Sequence, residues 1–236
     1  MSGLVVSHNS MQLPLSLNLR DDAIFDNFFA GSNALVIDAL KSFITLGTEQ
    51  FIYCYGESGS GRTHLLQACC HLANQYDKTI FYLPLSQHAD FSSEILQELE
   101  QFQIVCIDDG DAIVGNHAWE EALFHFYNRA RDQKTALLVS AACAPKQLKC
   151  VLPDLQSRLA WGLTLEIKNL TDDEKIGVLQ LRAAFRGFQL SDDVAGYLIH
   201  HCSRNMRDLF SLLEKLDHAS LIAKRKITIP FVKTVI

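Results

Sequence analysis

The sequence predicts an α/β fold: a parallel sheet with helices on both faces, followed by a small all-helical unit. Three observations carry this expectation. Five short apolar runs alternate with stretches of helical periodicity between residues 51 and 167, the pattern of repeated strand–helix–strand units. A glycine-rich segment, Gly56-Glu57-Ser58-Gly59-Ser60-Gly61-Arg62-Thr63, joins the first run to a helical stretch. From Thr171 onward the strand signals stop and helix-start signals recur. The expected organisation is an extended tail over residues 1–20, an α/β unit over 21–170 and a helical unit over 171–236.

Each element has a local reason. A helix is expected over 33–46. Phe51-Ile52-Tyr53-Cys54-Tyr55 is a continuous apolar run stopped by Gly56, as in a strand covered on both faces. A helix over 63–74 follows, then a strand over 79–83 ended by Pro84. Residues 92–102 read as helical. Ile104-Val105-Cys106-Ile107 is the third strand and runs into Asp108-Asp109. A helix over 119–131 comes next, with Phe124, Phe126 and Tyr127 expected in the core. A fourth strand spans 136–140 and a fifth 163–167. Thr171-Asp172-Asp173-Glu174 has the spacing of a capping box opening a helix to about residue 186. Ser191 opens another to about 201, residues 206–224 a third, and Thr228 a short last one.

Composition agrees with a self-sufficient fold. With 236 residues, 48% hydrophobic and 20% charged, the chain can bury roughly 70–75% of its unfolded surface and needs no covalent staple. No apolar run approaches the ~18 residues of a membrane span. The first basic residue is Arg20, so no secretory signal is expected. Seven cysteines, an odd number with no C-x-x-C pair, suit free buried thiols in a reducing cytoplasm. His200-His201 reads as structural. The formal net charge of −6 disfavours binding DNA through phosphate neutralisation by the whole surface. The last 36 residues are basic, with seven Lys or Arg against three acids. They read as a solvated helix face, with contact to nucleic acid or an acidic partner as the sharper alternative.

The glycine-rich segment fits a phosphate-binding loop. Gly56, Gly59 and Gly61 permit tight turns that point successive N–H groups inward, flanking Ser60. The helix that follows adds the positive end of its dipole. Thr63 supplies a hydroxyl for Mg²⁺. Arg62 stands where such loops usually carry Lys. Its planar, bulkier cation cannot act as a point charge between the β- and γ-phosphates, so nucleotide binding is expected and fast hydrolysis is not. Asp108 and Asp109, about 45 residues on, end a strand at the sheet edge where ligands collect. Asp108 would orient Mg²⁺ and its water. Asp109 would sit where a water-activating base stands, with a side chain shorter than Glu.

These motifs occur in a recognisable order. The loop, the acidic strand end, Leu152-Pro153-Asp154-Leu155-Gln156-Ser157-Arg158-Leu159-Ala160-Trp161-Gly162 and Asn205-Met206-Arg207-Asp208-Leu209 resemble AAA+ proteins of the bacterial replication-initiator clade. Phe25-Asp26-Asn27-Phe28 with Gly31-Ser32-Asn33 looks like that clade's adenine-side box. Together with Lys226-Ile227-Thr228-Ile229-Pro230-Phe231-Val232-Lys233, the pattern resembles the Hda family of DnaA-homologous regulators along nearly the whole chain.

The resemblance implies an AAA+ P-loop nucleotide domain with a C-terminal helical lid, ADP or ATP as ligand, and Mg²⁺. It implies that Arg158 is an arginine finger acting on a neighbouring molecule's nucleotide. Arg207 would be the lid arginine that contacts the phosphates in cis, and Ser140 a first sensor at the end of the fourth strand. Gln12-Leu13-Pro14-Leu15-Ser16-Leu17 resembles the peptide by which bacterial proteins dock on the DNA polymerase sliding clamp, with Gln12, Leu13, Leu15 and Leu17 as its contacts. The chain stops at Ile236, where the initiator continues into a helix-turn-helix reader. The expected role is therefore a cytoplasmic regulator that inactivates DnaA by promoting hydrolysis of its ATP. It would not be primarily an enzyme and would make no sequence-specific DNA contact. A self-sufficient AAA+ ATPase such as a helicase loader is the alternative, and self-association is left open.

Overall fold

The computed structural model describes residues 19–203 and 205–236. Its centre is a five-stranded, wholly parallel sheet of order β2-β3-β4-β1-β5. The strands are β1 (Phe51–Tyr55), β2 (Ile80–Pro84), β3 (Ile104–Asp108), β4 (Ala136–Ala141) and β5 (Leu163–Glu166). Each lies where an apolar run was expected. Strands β1, β3 and β4 are buried on both faces, because helices cover the sheet on either side.

Helices α1 (Ala34–Leu46) and α2 (Arg62–Gln75) pack on one face, enclosing Leu40, Ile44, Leu65 and Leu66. On the other face α3 (His117–Gln133) and α4 (Pro153–Leu159) cover Tyr53, Leu83, Ile107 and Phe126. Phe126 and Tyr127 are buried and Phe124 packs against them, as the sequence implied. Cys54, Cys69, Cys70 and Cys106 are buried and all seven cysteines are free. Burial pushes the Cys54 thiol up to about 12, which leaves it inert at neutral pH.

Two local expectations need correction. Residues 92–102 do not form an α-helix. They make two 3-10 turns (Ser93–Leu96 and Leu99–Gln101) separated by Gln97 in extended and Glu98 in left-handed conformation. The reason is that side chains outside the segment take carbonyls a helix would use. Arg129 donates to Leu96 O at 2.8 Å and Thr135 Oγ1 to Glu100 O at 2.9 Å. Ser191 precedes α6 but makes no side-chain cap bond.

The C-terminal helices are α5 (Asp172–Phe185), α6 (Asp192–His201), α7 (Met206–Ala223) and α8 (Ile229–Val235). The capping box at the head of α5 forms reciprocally: Glu174 N donates to Thr171 Oγ1 and Thr171 N to Glu174 Oε2. Thr228 Oγ1 caps α8 by accepting from Phe231 N. These helices enclose a separate apolar cluster around Leu179, Leu198, Leu209, Leu213 and Leu216. His201 stacks on Tyr197 at 4.3 Å between ring centres. Among the described residues no His, Cys, Asp or Glu group could hold a metal ion by itself, and no helix is long and apolar enough to cross a membrane.

The segment before α1 ties the helical unit to the sheet. Phe29 packs into the C-terminal cluster. Asn33, which is buried, exchanges two hydrogen bonds with the backbone of Lys168, at 2.8 and 3.0 Å. Asp22 is paired by both Arg20 and Arg182. Burial alone would raise the Asp22 carboxyl, but the hydrogen bonds and charges of Arg182 and Arg20 outweigh it and hold the group at about 2. Because the folded value lies below the unfolded one, the stabilisation is present above about pH 4 and is lost as pH falls through about 2. Asp22→Asn should therefore cost about 1 kcal/mol at pH 7, after allowing for solvent screening. Urea melts should show the gap between variant and parent closing as pH falls from about 4 to 2. A constant gap across that range would remove the charge from the explanation.

Candidate functional site

The site lies at the C-terminal edge of the sheet. Strand order brings it together: β4 sits between β1 and β3, so the loop that leaves β1 and the acids that end β3 flank Ser140 on β4. Register pairs Cys54 with Ser140 and Ile107 with Val139.

The loop 56–63 turns as the glycines require. Gly59 and Gly61 adopt φ of 87° and 96°, a region that favours glycine. A Cβ on Gly61 would lie 2.6 Å from the Phe28 ring, and one on Gly56 would lie 2.4 Å from Ile167 O. Helix α2 then begins at Arg62 with Gly61 as its cap residue, and the N–H groups of its first turn have no partners within the helix. Thr63 is exposed, whereas Ser60 is buried and its Oγ has no hydrogen-bond partner. A cleft of about 630 Å³ runs beside the loop, lined by Tyr55, Gly56, Glu57, Ala142, Gln147 and Lys168. A second hollow of about 450 Å³ lies under α3, near Glu94, His125 and Asp132, away from the loop.

Asp108 is 1% exposed and closely held. Its Oδ1 accepts from Ser140 Oγ and from Asp109 N, and its Oδ2 accepts from Tyr82 OH at 2.8 Å. Burial and the Asp108 charge push the Tyr82 phenol upward, so it stays a hydrogen-bond donor. Tyr82 OH in turn accepts from Gln67 Nε2, and Gln67 Oε1 accepts from Arg20 N. A continuous polar relay thus runs from residue 20 to the acid edge of the sheet.

Asp109 has φ 53° and its N–H also donates to Ser140 Oγ at 3.1 Å. Its carboxylate pairs with Arg62: Nη2 lies 3.0 Å from Oδ1. Arg62 Nη1 donates to Gly56 O at the start of the loop. Burial, then the adjacent Asp108, raise the Asp109 carboxyl, and Arg62 offsets this only in part. The structure therefore joins two residues that the sequence placed 47 positions apart, and each is the other's partner.

The residues present fit a nucleotide phosphate with Mg²⁺. Ser60 offers an orphaned hydroxyl inside the loop, and Thr63 an exposed one at the head of α2. Asp108 Oδ2 keeps one acceptor lone pair beyond its bond to Tyr82, enough for a metal-bound water. With no protein cage, such an ion would depend on phosphate oxygens for part of its shell.

Arg158 sits on α4, half-buried, with its guanidinium 5.8 Å from the ring centre of the exposed Trp161. Among the described residues no carboxylate pairs with it. Helix α4 was not anticipated by the pattern of the sequence. Proline at its first position starts it, and Leu152 before it offers no side-chain cap. Glu120 on α3 instead anchors the residues that lead into α4: fully buried, its carboxylate takes N–H bonds from Gly115 (2.7 Å), Val151 (3.1 Å) and Leu152 (2.7 Å). Sequence reasoning missed both Glu120 and Tyr82. An acid inside an amphipathic helix and a tyrosine inside a buried strand were the available signals, since buried polar tips need partners. Arg207 lies in the first turn of α7, and its side chain is outside what the structure describes. Gln12, Leu13, Leu15 and Leu17 also lie outside the described residues.

Comparison with known proteins accounts for the arrangement. Residues 19–166 match the family model of the bacterial DnaA ATPase domain, and residues 172–236 match that of the Hda lid domain. An uncharacterized protein of Haemophilus influenzae is 45% identical over 229 residues, covering 95% of this chain and 98% of its own. Domain III of the Thermotoga maritima replication initiation protein DnaA superposes with a TM-score of 0.78 at 21% identity, over 93% of this chain and 97% of that one. AMPPCP-bound DnaA from Aquifex aeolicus gives 0.72 at 22%, over 83% and 65%. The Thermotoga maritima RuvB branch-migration motor gives 0.69 at 18%, over 92% and 72%, so the architecture is that of AAA+ modules at large. The chain belongs to the DnaA-homologous AAA+ family and is Hda-like in its helical lid.

Proposed function

We propose that this protein is a negative regulator of replication initiation. It binds ADP through residues 56–63, docks on the DNA polymerase sliding clamp through residues 12–17, and promotes hydrolysis of ATP bound to DnaA. The observation that carries this reading is an asymmetry. The chain's own water-activating position, Asp109, is occupied by Arg62, while Arg158 lies half-buried at the surface, paired with no carboxylate among the described residues, and its helix is anchored by Glu120. A finger presented in this way suits a partner's nucleotide, where it stabilises charge on the phosphoryl group in transfer. Bound ADP with Mg²⁺ would act as a structural ligand between loop and lid, with Arg207 reaching it from α7. The AMPPCP in the Aquifex aeolicus initiator supports a nucleotide at the matching loop.

Reconstitution with DnaA, clamp and DNA, following the initiator's bound nucleotide, tests the reading. The parent should drive DnaA from its ATP form to its ADP form only when clamp is present. The paired variant Gln12→Ala with Leu13→Ala should lose that effect, because a short peptide of micromolar affinity has few contacts to spare. Brisk ATP turnover by the isolated chain would instead favour a self-sufficient ATPase such as a helicase loader.

A further inference from the structure

We propose that the Arg62–Asp109 bridge sets the selectivity of the loop, admitting a nucleoside diphosphate and rejecting the triphosphate. This rests on the reading of the site as a nucleotide site that holds ADP.

The cation after the last loop glycine normally reaches the β- and γ-phosphates. Here both arms of that cation are engaged. One nitrogen of Arg62 is bonded to Gly56 O where the loop begins, and the other to Asp109 Oδ1 where β3 ends. The guanidinium is largely shielded, with 14% of the side chain exposed. It spans the gap between the loop and the acids, which a third phosphate must enter to meet the Asp108–Asp109 edge.

The backbone of Asp109 is held in place. Its N–H is bonded to Ser140 Oγ and to Asp108 Oδ1, and its backbone sits in the left-handed region. A β-phosphate needs only the loop N–H groups, with the Ser60 and Thr63 hydroxyls beside them. A γ-phosphate brings further negative charge against two adjacent carboxylates: among the described residues no side-chain cation pairs with Asp108, whose charge a phosphate-bound Mg²⁺ would offset, and Asp109 has already neutralised Arg62. Entry of the triphosphate thus requires breaking the bridge and exposing Asp109 to the incoming anion. Like charges brought together in a shielded site are strongly disfavoured.

The test is an equilibrium titration with ADP and with AMPPCP, both with Mg²⁺, of the parent, Asp109→Asn and Arg62→Lys. Asparagine keeps the size and an acceptor but removes the charge. Lysine keeps the charge but gives up the fork that holds both partners. The parent should prefer ADP by about tenfold or more, and Asp109→Asn should shrink that ratio about tenfold, chiefly by tightening AMPPCP. Arg62→Lys should shrink it in the same direction and keeps the test valid if the Asn variant melts early. A parental preference for ADP that survives in a folded variant overturns the bridge as its cause. Equal parental affinities overturn the diphosphate reading itself, and the two failures are therefore distinct.

Discussion

Replacing Arg158 by alanine is expected to return ATP hydrolysis on DnaA to the initiator's unassisted rate, with clamp and DNA present. An arginine that completes a neighbour's pocket is worth about 10³–10⁵ in rate, so the loss should be nearly complete. The same variant should fold and bind ADP like the parent. Its guanidinium makes a ring contact with Trp161 and no ion pair among the described residues, and an exposed cation–π contact is worth about 0.5–1 kcal/mol. Arg158→Lys should also fail, because an ammonium lacks the planar fork. Single-turnover assays of labelled nucleotide on DnaA, with a thermal melt of each variant, separate the two effects. A variant that stimulates like the parent would end the role assigned to Arg158.

Glu120→Ala should destabilise the protein by about 3 kcal/mol, lowering Tm by roughly 6–12 °C for a chain of this size. Its buried carboxylate accepts from three backbone N–H groups, at Gly115, Val151 and Leu152. Alanine leaves all three donors without partners and a void beneath them. Bonds to a charged acceptor are worth about 1.5–3 kcal/mol each, and loss of the buried charge itself returns part of that. Glu120→Gln should be only slightly milder, because its amide NH₂ would face an N–H donor. Since Val151 and Leu152 directly precede α4, either change should also weaken stimulation of DnaA at temperatures where the variant remains folded. Calorimetry together with the DnaA assay checks this. An unchanged Tm with full stimulation would show that the staple neither holds α4 nor positions Arg158.

Much of the architecture is written locally. The strands are visible because a parallel sheet covered on both faces needs apolar residues on both, and Gly56, Pro84 and Asp108-Asp109 mark where three of them end. The capping box of Thr171 and Glu174 is visible because its partners lie three residues apart. The loop 56–63 is visible because only glycines make those turns. What local spacing cannot carry is the choice of distant partners. Residues 92–102 have helical periodicity but lose their helix to Arg129 and Thr135. Helix α4 has no side-chain cap, and the two residues that lead into it are held by Glu120, about 30 residues away.

The chain thus settles by itself the five strands, the phosphate loop and most of the helices, since each of these depends on residues within a few positions of one another. Only the tertiary structure decides that Arg62 meets Asp109 and that Tyr82 and Ser140 meet Asp108. Those meetings follow from the order β2-β3-β4-β1-β5, which sets β4 between its predecessor β3 and the first strand β1, remote from it in sequence, and brings the ends of all three to one edge.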